Sequence, residues 1–143
     1  MKTSFFLYLS ALCICLMSCT SSRVSDKSNT DCVEVMCTQE YRTITVSIKD
    51  QNQNPVALDA FKVRNTENKV LVSLDLSSAQ FEIAKQAGEY PITSDGNMNK
   101  NQELNLEFIG YINDIEVVNS KYTVKSDCCH VNLISGELAL ILK

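Results

Sequence analysis

The sequence predicts an all-β domain: a two-sheet antiparallel β-sandwich with one short helix, preceded by a signal peptide and a flexible tether. Three observations carry this. Short segments alternate apolar and polar residues with period two, turn-forming residues separate them at regular intervals, and only one stretch carries helix-capping chemistry. A small closed barrel is the competing architecture.

Taken in order, the chain opens with Met1 and Lys2, followed by a predominantly apolar run from Phe5 to Met17. That run is shorter than the roughly 20 residues a spanning helix needs and has the length of a secretory core. It closes on Leu16-Met17-Ser18-Cys19, which resembles the lipobox of bacterial lipoproteins. The resemblance implies cleavage before Cys19, lipidation of that cysteine, and attachment to a membrane through the lipid. Residues 1–18 are then a lipoprotein signal peptide. Thr20 rather than Asp after the cysteine resembles lipoproteins sorted to an outer membrane. The tether is expected over 19–31: Thr20 to Thr30 (TSSRVSDKSNT) is too poor in aliphatic residues to offset its ordering entropy. Extended, it would reach on the order of 35 Å.

The folded domain is expected over 32–143. In Tyr41 to Lys49, Ile44, Val46 and Ile48 fall on one face and Thr43, Thr45, Ser47 and Lys49 on the other, a half-buried strand. Asp50 to Pro55 is a turn by chemistry. Val56 to Val63 and Lys69 to Leu76 read as two further strands around a turn at Asn65 to Asn68. At Ser77 the pattern changes. Ser77 and Gln80 have the spacing of a capping box, Gly88 stands where a C-terminal cap belongs, and Ala79, Ile83 and Ala87 lie on one helical face. Glu89 to Thr93 is a short strand containing Pro91, and Ser94 to Asn97 a turn. Glu103 to Ile112 and Ile115 to Lys125 alternate around Asn113-Asp114, a two-residue hairpin turn. Cys128 to Ile134 and Glu137 to Lys143 are the last two strands, separated by Ser135-Gly136.

The segment Thr45 to Val56 (TVSIKDQNQNPV) resembles the opening hairpin of carboxypeptidase-regulatory-like modules through Asp50, Asn52, Asn54, Pro55 and Val56. Those are transthyretin-like, Ig-like β-sandwiches common in exported bacterial proteins. Gln53 replaces the family's usual glycine, so another residue is expected to supply the turn's positive φ. The resemblance implies a non-catalytic module, and no catalytic residue carries over.

Charge and composition narrow the function. The net charge is −4, and removing Lys2 with the signal makes it −5. An acidic chain without basic clusters is a poor partner for nucleic acid. Trp is absent, and no cofactor motif is present. Of seven cysteines, Cys13 and Cys15 leave with the signal and Cys19 takes the lipid. Cys32, Cys37, Cys128 and Cys129 remain, an even set in an exported chain, for which disulfides are the default. If Cys128 and Cys129 are strand neighbours they face opposite ways, so each needs its own partner. The odd spacing of Cys32 and Cys37 fits two cross-links, one on each side of the sheet. Which cysteine joins which stays open. Each bridge would close a loop of roughly 90 residues, worth about 4–5 kcal/mol in the chain-entropy model.

Two other chemistries compete. Cys32, Cys37, Cys129 and His130 could supply four metal ligands, or a thiol-redox pair with His130 as base. The turn carboxylates Asp50, Asp59, Asp75, Asp95 and Asp114 lack EF-hand spacing and read as solvated turn residues. No nucleophile–base pair marks a hydrolase. The sequence therefore points to an exported, lipid-anchored envelope protein, non-catalytic and without cofactor or metal, whose partner is another envelope protein or a surface ligand.

Overall fold

The computed structural model describes residues 32–143 apart from Ser73. The signal peptide, Cys19 and the tether expected at 19–31 lie outside the described residues. Among the described residues, seven strands and one α-helix follow in the order β1 (Thr43–Lys49), β2 (Ala60–Asn65), α1 (Ser78–Ala87), β3 (Glu89–Ser94), β4 (Glu103–Ile112), β5 (Ile115–Ser126), β6 (Val131–Ser135) and β7 (Ala139–Ile141). They form two sheets, β3-β1-β7 and β2-β4-β5-β6. Every pairing is antiparallel except β1 with β7, which is parallel.

The alternation read from the sequence decides which side chains meet between the sheets. Ile44, Val46 and Ile48 of β1 are buried, with Tyr90 and Ile92 of β3 beside them; Val63, Leu106, Phe108, Tyr122 and Val124 come from the other sheet. Each such side chain contributes about 1.5–3 kcal/mol through removal of its surface from water. Phe61 stacks on Phe108 with ring centroids 5.4 Å apart. Among the described residues, no helix is long and apolar enough to cross a membrane.

Turn chemistry acts as its residue types predict, with one correction. Asp50 Oδ1 accepts from the backbone N–H of Asn52 (2.8 Å) and of Asn54 (2.9 Å). The positive φ in this turn is supplied by Gln53 itself, at 67°, rather than by another residue. Asn113 and Asp114 both have positive φ, 50° and 62°, which is the two-residue type I′ hairpin. Helix α1 carries the full capping box: the Ser77 side chain accepts from Gln80 N–H, the Ser77 N–H donates to Gln80 Oε1, and Gly88 caps the far end at φ 66°.

The buried face of α1 differs from the expected one. Ala79, Ile83 and Ala87 all point outward, Ile83 at 65% exposure. Phe81 and Ala84 turn inward instead, because the Phe81 ring packs 5.9 Å from Phe61. Four strands also shift, the last of them from Glu137 to Lys143 to Ala139–Ile141. Val56 to Val63 becomes Ala60–Asn65, since the Tyr90 hydroxyl takes the place of a ladder at 56–58: it accepts from Leu58 N–H (2.7 Å) and donates to the Val56 carbonyl (2.8 Å). Among its described residues, Lys69 to Leu76 forms one bridge, Leu71 to Arg64. Cys128 to Ile134 becomes Val131–Ser135, leaving both cysteines in the bend before β6.

Candidate functional site

The four cysteines form two cystines, Cys32–Cys128 and Cys37–Cys129, each with Cα atoms 5.4 Å apart. The strand-parity expectation is corrected in its premise: the bridges sit ahead of β6 and not on the two sides of a sheet. The bend is built by Asp127. Its Oδ1 accepts from the backbone N–H of Cys129 (2.7 Å) and of His130 (2.8 Å), an Asx-type turn that frees two successive residues from strand geometry. These two bonds, the His130 N–H first, hold the Asp127 carboxyl below its ordinary range.

His130 lies under the bridges, its side chain 10% exposed. Nδ1 is 2.9 Å from Asp95 Oδ2, and Nε2 is 2.9 Å from Thr38 Oγ1. An ionised carboxylate only accepts, so Nδ1 carries the proton and, in the neutral ring, Nε2 accepts from the Thr38 hydroxyl. Asp95 also accepts from Arg42 N–H at Oδ2 (2.8 Å) and from Val131 N–H at Oδ1 (2.7 Å). Burial pushes its carboxyl up, but the bonds from Arg42, His130 and Val131 together pull it further down. One carboxylate thus ties the start of β1, the 3₁₀ turn Asp95–Asn97 and the start of β6 together.

The metal-ligand alternative is not assembled in this oxidised domain. All four sulfurs are bonded in cystines, and both ring nitrogens of His130 have partners. Among the described residues, no group of three or more His, Cys, Asp or Glu side chains is arranged to hold a metal ion.

Thr38 and Asp95 were not legible as partners of His130. Asp95 reads as an ordinary member of the Ser94 to Asn97 turn, and nothing in the spacing joins it to a histidine 35 residues away. Thr38, His130 and Asp95 line up as hydroxyl, imidazole and carboxylate. A small cavity of about 170 Å³ beside His130 is lined also by Asp95, Met98, Lys100, Ser126 and the cystine bend, and Thr38 is not among its lining residues. No protein-family model matches the chain, and neither a curated protein nor a solved structure is similar to it.

Proposed function

We propose that this chain is an exported lipoprotein, anchored at Cys19 and probed by its surroundings through a non-catalytic, disulfide-braced β-sandwich that serves as a binding or envelope-structural module. The observation that carries the reading is the pair of cystines, which belongs to an oxidising compartment. The lipobox-like Leu16-Met17-Ser18-Cys19 supports the anchor, and Thr20 supports an outer-membrane address. The acidic balance supports a protein or surface-ligand partner over nucleic acid. The hairpin of Asp50 to Val56 supports kinship with carboxypeptidase-regulatory-like modules.

Mass spectrometry of the native protein recovered from membranes tests this. A diacylated or triacylated Cys19 as the N-terminus, with two intact cystines, is the expected result. A protein that washes free with its original N-terminus overturns the anchor. Four free thiols with a bound metal would favour the thiol-redox or metal reading of Cys32, Cys37, Cys129 and His130.

One observation favours a second reading. The Thr38–His130–Asp95 array has the order of a nucleophile, a base and its orienting carboxylate. A fluorophosphonate probe that labelled Thr38, and lost that labelling in His130→Ala, would make the protein a hydrolase. Asp95 is already committed to two backbone N–H groups, which is why the structural role is preferred.

A further inference from the structure

We infer that the loop between the two cystines, Cys32 to Cys37, is a lipid-contacting tip that dips Val33, Val35 and Met36 into the surface of the bilayer holding the anchor. The inference rests on the anchored-lipoprotein reading. It adds which end of the domain faces the membrane and which side chains touch it.

Inside the loop Cys32-Val33-Glu34-Val35-Met36-Cys37, three of the four residues are apolar. All three are exposed: Val33 at 70%, Val35 at 47% and Met36 at 95%. Met36 therefore touches almost nothing of its own domain. Contact with water is unfavourable for such side chains. Elsewhere Ile83, Ile115 and Ile141 are exposed but stand singly in the chain, which is ordinary for a protein surface. Here the exposed apolar residues are gathered in one short loop.

The cystines make this loop a fixed projection. Cys32 joins Cys128 and Cys37 joins Cys129, so its two ends are held by neighbouring residues of one bend. A turn over 32–34, with Glu34 at φ 68°, folds the chain between them. A loop pinned in this way loses little freedom when it meets a surface. The bend also lies at one end of the domain. β5 runs for 12 residues from Ile115 to Ser126, and the cystine bend follows it directly. Ile115 is therefore roughly 35 Å away, beside the Asn113-Asp114 hairpin at the opposite pole.

Three observations select a bilayer as the occupant. Cys19 precedes Cys32 by 13 residues, which span at most about 45 Å. An acyl chain on Cys19 thus keeps the cystine pole, and not the hairpin pole, next to the membrane. A second copy is a poor fit, because a stable protein interface engages about 20–30 residues a side and this loop offers three apolar side chains. Residues 20–31 cannot supply an apolar cover, since Val24 is their only aliphatic residue. Glu34 is the single charge inside the loop, so the contact is shallow. Its carboxylate stays among the headgroups while the apolar side chains reach the acyl boundary, about 5–10 Å in.

The chain has no Trp, so one introduced Trp reports alone. The full-length lipoprotein, matured in bacteria, is reconstituted into phosphatidylcholine vesicles with brominated acyl chains. Flotation of the vesicles reads the anchor, and Trp fluorescence reads the loop. Met36→Trp is expected to emit at shorter wavelength than Ile115→Trp and to be quenched by bromine at least threefold more. Adding Val33→Asp and Val35→Asp to Met36→Trp should remove at least half of that quenching. Quenching that survives the two aspartates would belong to the introduced Trp and would overturn the loop's role. Met36→Trp that floats but is quenched no more than Ile115→Trp would overturn the inference while the anchor stands. So would a blue shift without bromine quenching, the mark of cover by a second copy or by residues 20–31. Protein that does not float would overturn both.

Discussion

Asp95 joins three parts of the chain through one carboxylate. Its two oxygens serve the His130 ring and two backbone N–H groups, that of Arg42 just ahead of β1 and that of Val131 at the start of β6. Asp95→Ala leaves the donors of buried His130 and Val131 without acceptors and is expected to cost about 2–4 kcal/mol in urea unfolding. Thr38→Val removes one hydrogen bond at an exposed residue and should cost about 1 kcal/mol or less. The carboxyls of Asp95, Asp127 and Glu107 are all held below their ordinary values, that of Glu107 chiefly by the Arg64 side chain. A lowered folded-state pKa means that the unfolded chain binds more protons as the solution acidifies. The stability these groups contribute is present in full above the ordinary carboxylate value, about pH 4, and is lost as pH falls through their lower folded values. Acid titration of the unfolding midpoint should show this loss, and Asp95→Asn should flatten part of it.

Secondary-structure elements were legible in proportion to how far their pattern was set by the backbone ladder. β1, β4 and β5 follow their alternation because each is paired along its length. Residues 69–76 alternate just as well, yet among the described residues they meet β2 only around the Arg64–Leu71 bridge, through the Asn65–Val70 and Val63–Val72 backbone bonds, while Leu74 and Leu76 line a groove. Period two does not distinguish those roles. At 56–58 a single hydroxyl, that of Tyr90, replaces a strand partner, and no local signal announces a side chain 34 residues away. The helix shows the same limit from the other side. Its caps are local and were readable at Ser77, Gln80 and Gly88, whereas its facing depends on Phe61, which lies in another element. Phe81→Ala should therefore destabilise by about 1–3 kcal/mol, and Ile83→Ala, on the exposed face, should stay within about 0.5 kcal/mol. Equilibrium denaturation of the two variants checks the assignment.

At the scale of the molecule, four cysteines were enough to anticipate two bridges but not their geometry, because the Asx turn at Asp127 that splits Cys128 from Cys129 depends on side-chain hydrogen bonds. The separations of 96 and 92 residues suggest two equal contributions of about 4–5 kcal/mol in the chain-entropy model. They are not independent. Once Cys32 is joined to Cys128, Cys37 and Cys129 are connected through that bridge by a ring of only five residues on one side and one on the other. Closing so small a ring is worth about 2–3 kcal/mol. Removing either cystine by paired Cys→Ser substitution should cost about 2–3 kcal/mol, and removing both should cost more than twice as much. Thermal unfolding of the two single-bridge forms and the bridge-free form supplies the cycle, and an unchanged midpoint on reduction would deny the brace altogether. The same staple also sets a load path. Tension arriving from the N-terminal side of Cys32 passes through sulfur into the bend that precedes β6, so β1 is spared from being peeled off its neighbours strand-first when the chain is pulled from that side.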